Sequence, residues 1–303
     1  MSDPCPNWPL NHCRCRPITE CRALFEVTDL NFAATSARGV IMRCEACGAL
    51  YPQRFPDAAP LASASRDYYT APRRRGGWRA WASAIADLTR RDYMRRGLPR
   101  GARSVLDFGC GAGAFLQHVA TTDPTLHAYG SDVGAQPAAG GFQWLRPAEI
   151  ETAGPYDWIT LGHVVEHLDD PARRLASLAG TLGPRGGIWI ATPNADSFLF
   201  ATAGRWARDL DFPRHREIFS RAGLERLLDE AGLATTFASP PRINAALNAL
   251  STLRNILADA TAPTSARLRA VVATLSGLAY HCLQTPAARR AASPELVVVC
   301  RKL

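Results

Sequence analysis

The stretch Val105-Leu106-Asp107-Phe108-Gly109-Cys110-Gly111-Ala112-Gly113-Ala114-Phe115-Leu116 decides how the rest of this chain is read. A short apolar run meets an acid, then three glycines at alternate positions, then an apolar pattern of helical character. Glycine lets the backbone turn tightly and lets a ligand come close to the main chain. The first turn of the following helix presents N–H groups without intrahelical partners, which suit an electron-rich ligand. The segment reads as the strand, turn and helix of a nucleotide-type cofactor site.

Two cofactors compete for that turn. Gly109, Gly111 and Ala114 satisfy the dinucleotide pattern G-x-G-x-x-G/A, and Asp132 lies where a ribose-binding acid belongs, about 20 residues on. That pattern alone admits a nicotinamide dinucleotide. Asp107, two residues before the first glycine, tips the balance. A carboxylate there repels a pyrophosphate and suits the charged amino group of a methionine-like moiety.

The pattern D-x-G-x-G with an acid closing the next strand resembles class I S-adenosylmethionine (SAM) dependent methyltransferases of the small-molecule branch. Three further segments carry the resemblance. Tyr129-Gly130-Ser131-Asp132-Val133 looks like the second strand with its ribose acid. The run from Tyr156 to Pro171 looks like the fourth strand and an E-H-L-x-D-P helix start. Gly186-Gly187-Ile188-Trp189-Ile190-Ala191-Thr192-Pro193-Asn194 looks like the fifth strand. Together they cover roughly residues 78 to 240. The resemblance implies that Asp107, Gly109, Gly111 and Gly113 hold the methionine end, that Asp132 accepts the ribose hydroxyls, and that Glu149 lies near the adenine. It also implies a pocket lined by Pro213-Arg214-His215-Arg216-Glu217-Ile218-Phe219-Ser220.

Composition sets outer bounds. The chain has 303 residues, 47% hydrophobic and 20% charged, which supports an ordinary packed core in one large or two modest domains. No apolar run reaches the ~18 residues of a membrane span. Met1-Ser2-Asp3-Pro4 lacks a charged-then-apolar signal, so a cytoplasmic protein is expected. The net charge is +8, carried almost wholly by arginine, with Lys302 the only lysine. Arg73-Arg74-Arg75 and Arg90-Arg91 with Arg95-Arg96 are the densest clusters, and a solvated face explains them. A phosphate-bearing substrate or an acidic partner is the alternative.

Residues 1–55 differ from the rest. They hold Cys5, Cys13, Cys15, Cys21 and the knuckle Cys44-Glu45-Ala46-Cys47-Gly48. C-x-x-C before glycine frees backbone N–H groups to point at thiolates, and a structural Zn²⁺ needs four ligands in a tetrahedron. The expected set is Cys13, Cys15, Cys44 and Cys47, with His12 as the substitute for Cys13. Disulfides are disfavoured, since nothing indicates an oxidising compartment. The resemblance agrees, because many methyltransferases of this branch carry an N-terminal lobe of paired C-x-x-C motifs around an "LFE" strand, present here as Leu24-Phe25-Glu26. Here the first C-x-x-C is missing.

Residues 56–76, rich in Pro, Ala, Ser and Arg, read as a linker. Residues 77–303 form the expected catalytic domain, opening on a helix from Trp78 to Arg96. Strands then alternate with helices at Ser104–Phe108, His127–Ser131, Phe142–Leu145, Trp158–Gly162 and Ile188–Thr192. A helix follows from Ser220 to Leu233, then strands at Thr235–Ala238 and Glu295–Cys300, the last a reversed hairpin partner. The expected fold is α/β, Rossmann-like, a seven-stranded mostly parallel sheet with helices on both faces. Residues 241–290 form a helical insertion, expected to be a substrate cover or a homodimer face.

Methyl transfer from a sulfonium is an in-line displacement. The protein aligns the acceptor, excludes water and accepts a proton where the acceptor has one to lose. Histidine suits that last task near neutral pH. His215 is the first candidate, His163 at the carboxyl end of the fourth strand the second, and His167 the third. His163 also borders the cofactor. Leu161-Gly162-His163-Val164 stands where amino-group methylases of nucleic acids carry N/D-P-P-Y, so base methylation is disfavoured. The expected reaction methylates oxygen or carbon of a small molecule such as a sugar nucleotide or a secondary-metabolite intermediate. The rivals are an RNA methyltransferase gripping its substrate through the zinc lobe, and a non-catalytic partner protein of the same fold.

Overall fold

A computed structural model of the protein describes residues 20–31, 37–55, 98–99, 101–134, 136 and 140–303. The expected linker, the helix from Trp78 to Arg96, and the ligand candidates Cys5, His12, Cys13 and Cys15 lie outside the described residues. The chain divides into two compact units. One, the sheet unit, comprises 66–192, 225–239 and 297–303; the other, the composite unit, comprises 1–65, 193–224 and 240–296.

The sheet unit is built on seven strands: β4 Ser104–Phe108, β5 His127–Ser131, β6 Gln143–Trp144, β7 Tyr156–Gly162, β8 Leu182–Pro193, β9 Leu233–Ala238 and β10 Glu295–Lys302. Their order is β6-β5-β4-β7-β8-β10-β9. β4 pairs in parallel with β5 and β7, as do β5 with β6 and β7 with β8, whereas β10 pairs antiparallel with β9. The expected Rossmann-like α/β fold is therefore the observed one.

β4 is buried over Val105, Leu106 and Asp107, as a central parallel strand must be. Helix α1, Ala114–Thr122, buries Phe115, Leu116 and Val119 in a core with Val105, Trp158 and Trp189. Between β7 and β8 lies α3, Pro171–Gly180; a one-turn α2, Ile150–Ala153, precedes β7. α3 begins with Pro171 behind an Asp170 cap whose carboxylate accepts from Arg173 N–H, and it buries Leu175 and Leu178.

Two strands depart from expectation. β6 is two residues long, since Phe142 instead packs against the glycine turn. β8 starts six residues early, at Leu182. Tyr156 pairs with Leu182 and Trp158 with Gly187, so a bulge absorbs the Pro-Arg-Gly run that reads as a loop. Gly186 permits this, because a Cβ there would sit 2.8 Å from the Tyr156 carbonyl oxygen.

The composite unit holds an antiparallel sheet of β1 Cys21–Thr28, β2 Arg38–Cys44 and β3 Leu50–Pro52, in that order. Leu50 and Ile218 exchange backbone hydrogen bonds at 2.9 and 2.7 Å. Val27, Ile41, Leu50, Ala195, Leu210, Phe212 and Ile218 form one buried cluster. Three helices follow the same logic of one buried face each: α4 Phe198–Ala203, α6 Arg242–Ala258 and α7 Thr264–Leu283. α5, Arg221–Glu230, and α8, Pro286–Ala291, complete the chain. Among the described residues, no helix is long and apolar enough to cross a membrane.

Candidate active site

The glycine turn joins β4 to α1. Gly109, Gly111 and Gly113 all have positive φ, at 80°, 53° and 72°, where other residues pay about 1–2 kcal/mol. Their surroundings differ. A Cβ on Gly109 would lie 2.3 Å from Val164 Cγ2, and one on Gly113 would lie 2.5 Å from the Phe142 ring. A Cβ on Gly111 would meet nothing within 4 Å. Two glycines thus let the turn pack against its own unit, while the middle one fronts open space. α1 has Gly113 as its N-cap and no side-chain cap, leaving first-turn N–H groups for a ligand.

The acids sit around this turn. Asp107 is buried and accepts from Thr160 Oγ1 at 2.7 Å. Asp132 closes β5; its Oδ2 accepts from Gly111 N–H at 2.8 Å and its Oδ1 from Gly134 N–H at 2.9 Å. A carboxylate oxygen has two acceptor sites, so both oxygens retain capacity for a vicinal diol. Cys110 is buried beneath the turn, and burial, then the charges of Asp107 and Asp132, push its thiol well above the ordinary range. It is a neutral space-filler there, not a nucleophile.

Glu149 has a local partner. Its carboxylate accepts from Arg146 N–H at 2.7 Å and from the Arg146 guanidinium at 2.5 and 3.0 Å. These bonds to Arg146 hold its carboxyl below the usual range and form a capping box on the turn Pro147–Glu149.

The carboxyl ends of β7 and β8 carry a second set of groups. His163 is the first residue beyond β7 and has φ 59°, one of two positive-φ non-glycine residues among those described. Its N–H donates to the Ala191 carbonyl at 2.8 Å. Its Nδ1 lies 3.4 Å from Glu166 Oε1, with the His163 side chain 22% exposed and that of Glu166 fully buried. The second Glu166 oxygen accepts from Thr192 Oγ1 at 3.0 Å. His167 ends the turn Val165–His167 and donates its N–H to Val164 O at 3.0 Å. Sequence reasoning reached His163 and the E-H pair Glu166-His167 but missed Thr192 as the partner of Glu166. The signal was present in Thr192-Pro193-Asn194, yet only the parallel register of β7 and β8 brings Thr192 to the turn.

In the composite unit, His215 is 6% exposed. Its Nδ1 lies 2.9 Å from the Asp209 carbonyl oxygen, and its Nε2 lies 3.9 Å from Asp211 Oδ2. Arg214, in the segment that the resemblance places along a pocket, is buried between Asp29 and Asp211 at 2.7 and 2.9 Å. Burial alone would raise the Asp211 carboxyl; the charges of His215, Arg208 and Arg214 outweigh it and hold that carboxyl well below its ordinary range. Arg216, in the same segment, lies over the Phe55 ring at 4.1 Å. Arg214 therefore serves the fold.

The thiol knuckle is partly described. Gly48, with φ 77°, donates its N–H to Cys44 O at 2.8 Å, and Cys44 N–H donates to Ala49 O at 2.9 Å. Cys44 and Cys47 are buried. Cys21 pairs directly opposite Cys44 across β1 and β2.

Comparison with known proteins agrees with this fold. The profile of a methyltransferase-domain family matches residues 73–236, more than half of the 303 residues. The chain belongs to that family, and its fold and turn are those of the class I, SAM-dependent type. A ubiquinone biosynthesis O-methyltransferase of Marinobacter nauticus is 30% identical over 133 residues, 38% of this chain and 55% of that protein. Its counterpart in Vibrio parahaemolyticus is 26% identical over 151 residues, 43% of this chain and 63% of that protein. The chain thus spans between about half and two thirds of the length of these curated relatives. A similar solved structure is the plantazolicin methyltransferase BpumL in complex with a triazolic desmethylPZN analog and SAH: 16% identity, TM-score 0.46, covering 81% of this chain and 92% of that one.

Proposed function

We propose that this protein transfers a methyl group from SAM to an oxygen or carbon of a small-molecule acceptor, of the sugar-nucleotide or secondary-metabolite kind. The observation that carries the reading is the turn itself. Gly111 fronts open space beside an Asp132 carboxylate with acceptor sites to spare, at an uncapped helix start. These features fit SAM. The cofactor supplies the methyl electrophile and its leaving group; Gly109, Gly111 and Gly113 shape the turn, Asp107 faces the methionine amine, and Asp132 accepts the ribose hydroxyls. Glu149 lies on the adenine side, steadied by Arg146. The similarity to ubiquinone biosynthesis O-methyltransferases makes an oxygen acceptor the first to screen.

A histidine takes the acceptor proton. His163 is favoured over His215 and His167 because it stands at the carboxyl edge beside the turn with part of its ring exposed. His215 is nearly buried and held by the Asp209 carbonyl, so its substitution is the parallel test. Calorimetry with S-adenosylhomocysteine decides the cofactor question. Wild-type protein should bind with micromolar affinity, and Asp132→Ala should weaken binding at least tenfold, about 1.4 kcal/mol. A folded wild type that binds nothing ends the reading.

Two accessory proposals go with it. The knuckle Cys44 and Cys47 joins Cys13 and Cys15 in a structural zinc site, separate from catalysis; loss of bound zinc in Cys47→Ser is expected, and metal-free wild-type protein would refute it. The insertion pairs two copies of the chain. Leu268, Val272 and Leu275 are all at least half exposed on α7 at the spacing of a coiled-coil seam, and Leu250 and Leu257 are exposed seven residues apart on α6. Light scattering should give a dimer that Leu275→Arg dissociates; a wild-type monomer would remove the proposal.

A further inference from the structure

We propose that Glu166 and Thr192 are a positioning pair that fixes His163 as its Nδ1–H tautomer and so presents Nε2 as the proton-accepting nitrogen. This rests on the reading of His163 as the base. The geometry runs outward from β8. Ala191 carbonyl oxygen accepts from His163 N–H at 2.8 Å, and the next residue, Thr192, donates its hydroxyl to Glu166 Oε2 at 3.0 Å. One strand end thereby anchors both the histidine backbone and the carboxylate. With Oε2 taken by Thr192, Oε1 is turned toward His163 Nδ1 at 3.4 Å. That separation is an ion-pair distance without hydrogen-bond geometry, and catalytic contacts of this kind tighten when ligands bind. The left-handed backbone at His163 is held between the Ala191 bond and the packing of Val164 against Gly109.

The chemistry is that of a histidine oriented by a third group. The acceptor O–H proton passes to Nε2 while the acceptor oxygen forms its bond to the methyl carbon and the carbon–sulfur electron pair returns to sulfur. The ring becomes an imidazolium, and the fully buried Glu166 carboxylate is its counter-charge. Thr192 keeps that carboxylate from rotating away. Among the described residues, His167 stands on the same turn, and residues 188–192 of β8 carry no charge.

The test is imidazole nitrogen NMR on the intact protein with S-adenosylhomocysteine, the His163 signals assigned through His163→Gln. Wild type should show the Nδ1–H tautomer. Glu166→Gln should lower the His163 titration midpoint by about one pH unit, the usual effect of losing an adjacent opposite charge. Thr192→Val should lower it less, and Thr192→Ser should restore it. An Nε2–H tautomer in wild type, or a midpoint unmoved by Glu166→Gln, overturns the proposal. Should Glu166→Gln fail to fold, the Thr192→Val and Thr192→Ser pair decides, and an identical midpoint in all three proteins is then the refuting result. Calorimetry on the same wild-type sample separates the two claims: absent cofactor binding removes the methyltransferase reading, whereas the tautomer reports on the pair alone.

Discussion

The two units are held together by different physics. In the sheet unit, the groups around the glycine turn are fixed by bonds that span at most 53 positions. Asp132 grips Gly111 and Gly134, Thr160 grips Asp107, and Glu166 lies three residues from His163. In the composite unit the polar links span most of the chain. Asn31 donates to Asp211 across 180 positions and accepts from Asn255 across 224, and Arg214 reaches Asp29 across 185. The contrast shows where each unit is vulnerable. The sheet unit keeps its fold when a ligand-facing group changes, because apolar layers carry it. The composite unit depends on buried charges whose partners lie on distant segments.

The largest expected effect tests that dependence. Arg214→Leu would remove the guanidinium that the buried carboxylates of Asp29 and Asp211 share. Removing one partner of a buried ion pair costs about 3–5 kcal/mol. Urea unfolding of the variant should show a loss of that size. A loss below about 1 kcal/mol would mean that the carboxylates find water or protons without strain, and the contrast between the units would fall.

The glycine turn allows a finer comparison within the sheet unit. Gly109→Ala meets both the left-handed backbone and Val164 at 2.3 Å, whereas Gly111→Ala meets the backbone cost alone. Summing the backbone and overpacking costs gives roughly 3 kcal/mol for the first, against about 1 kcal/mol for the second. Affinity for S-adenosylhomocysteine should rank oppositely per unit of stability lost, since a methyl on Gly111 enters the open space. Equal stability losses, or unchanged affinity in folded Gly111→Ala, would deny that the middle glycine fronts the ligand.

These comparisons also explain what was legible in the sequence. Val105 to Leu116 was read correctly because strand, acid, turn and helix are contiguous, and the alternate glycines state a backbone requirement directly. The parallel order followed from alternation, and the closing hairpin of Thr235–Ala238 with Glu295–Cys300 from the family resemblance. The role of Arg214 was not legible. Pro213-Arg214-His215 reads the same whether arginine faces a ligand or an internal acid, and its acid, Asp29, lies 185 positions away. Thr192 was missed for the same reason, as only register against β7 brings its hydroxyl to Glu166. The early start of β8 was hidden by Gly183-Pro184-Arg185-Gly186, a turn signature that the structure spends on a bulge.

The smallest effect sets two histidines against each other. His163 has a carboxylate near its Nδ1, whereas His281 on α7 is 3% exposed, stacks on Phe198 of α4 at 4.9 Å, and is pushed below its ordinary pKa by burial and then by the charge of Arg289, which the nearby Gln284 side chain only partly offsets. A depressed folded-state value means that the unfolded chain binds this proton first. The ring's contribution is therefore fully present above about pH 6.5, and stability declines as pH falls below that value toward the folded pKa. Each unit of depression is worth about 1.4 kcal/mol. Replacing the ring with an apolar one of similar shape, His281→Phe, keeps the stacking and removes the proton site. Urea unfolding at pH 7.5 and 5.5 should show wild type losing more stability than His281→Phe between the two. Histidines paired with carboxylates titrate in both proteins and cancel in the difference. Parallel profiles would mean that the α4–α7 contact opens to water at low pH, so that His281 protonates there without penalty.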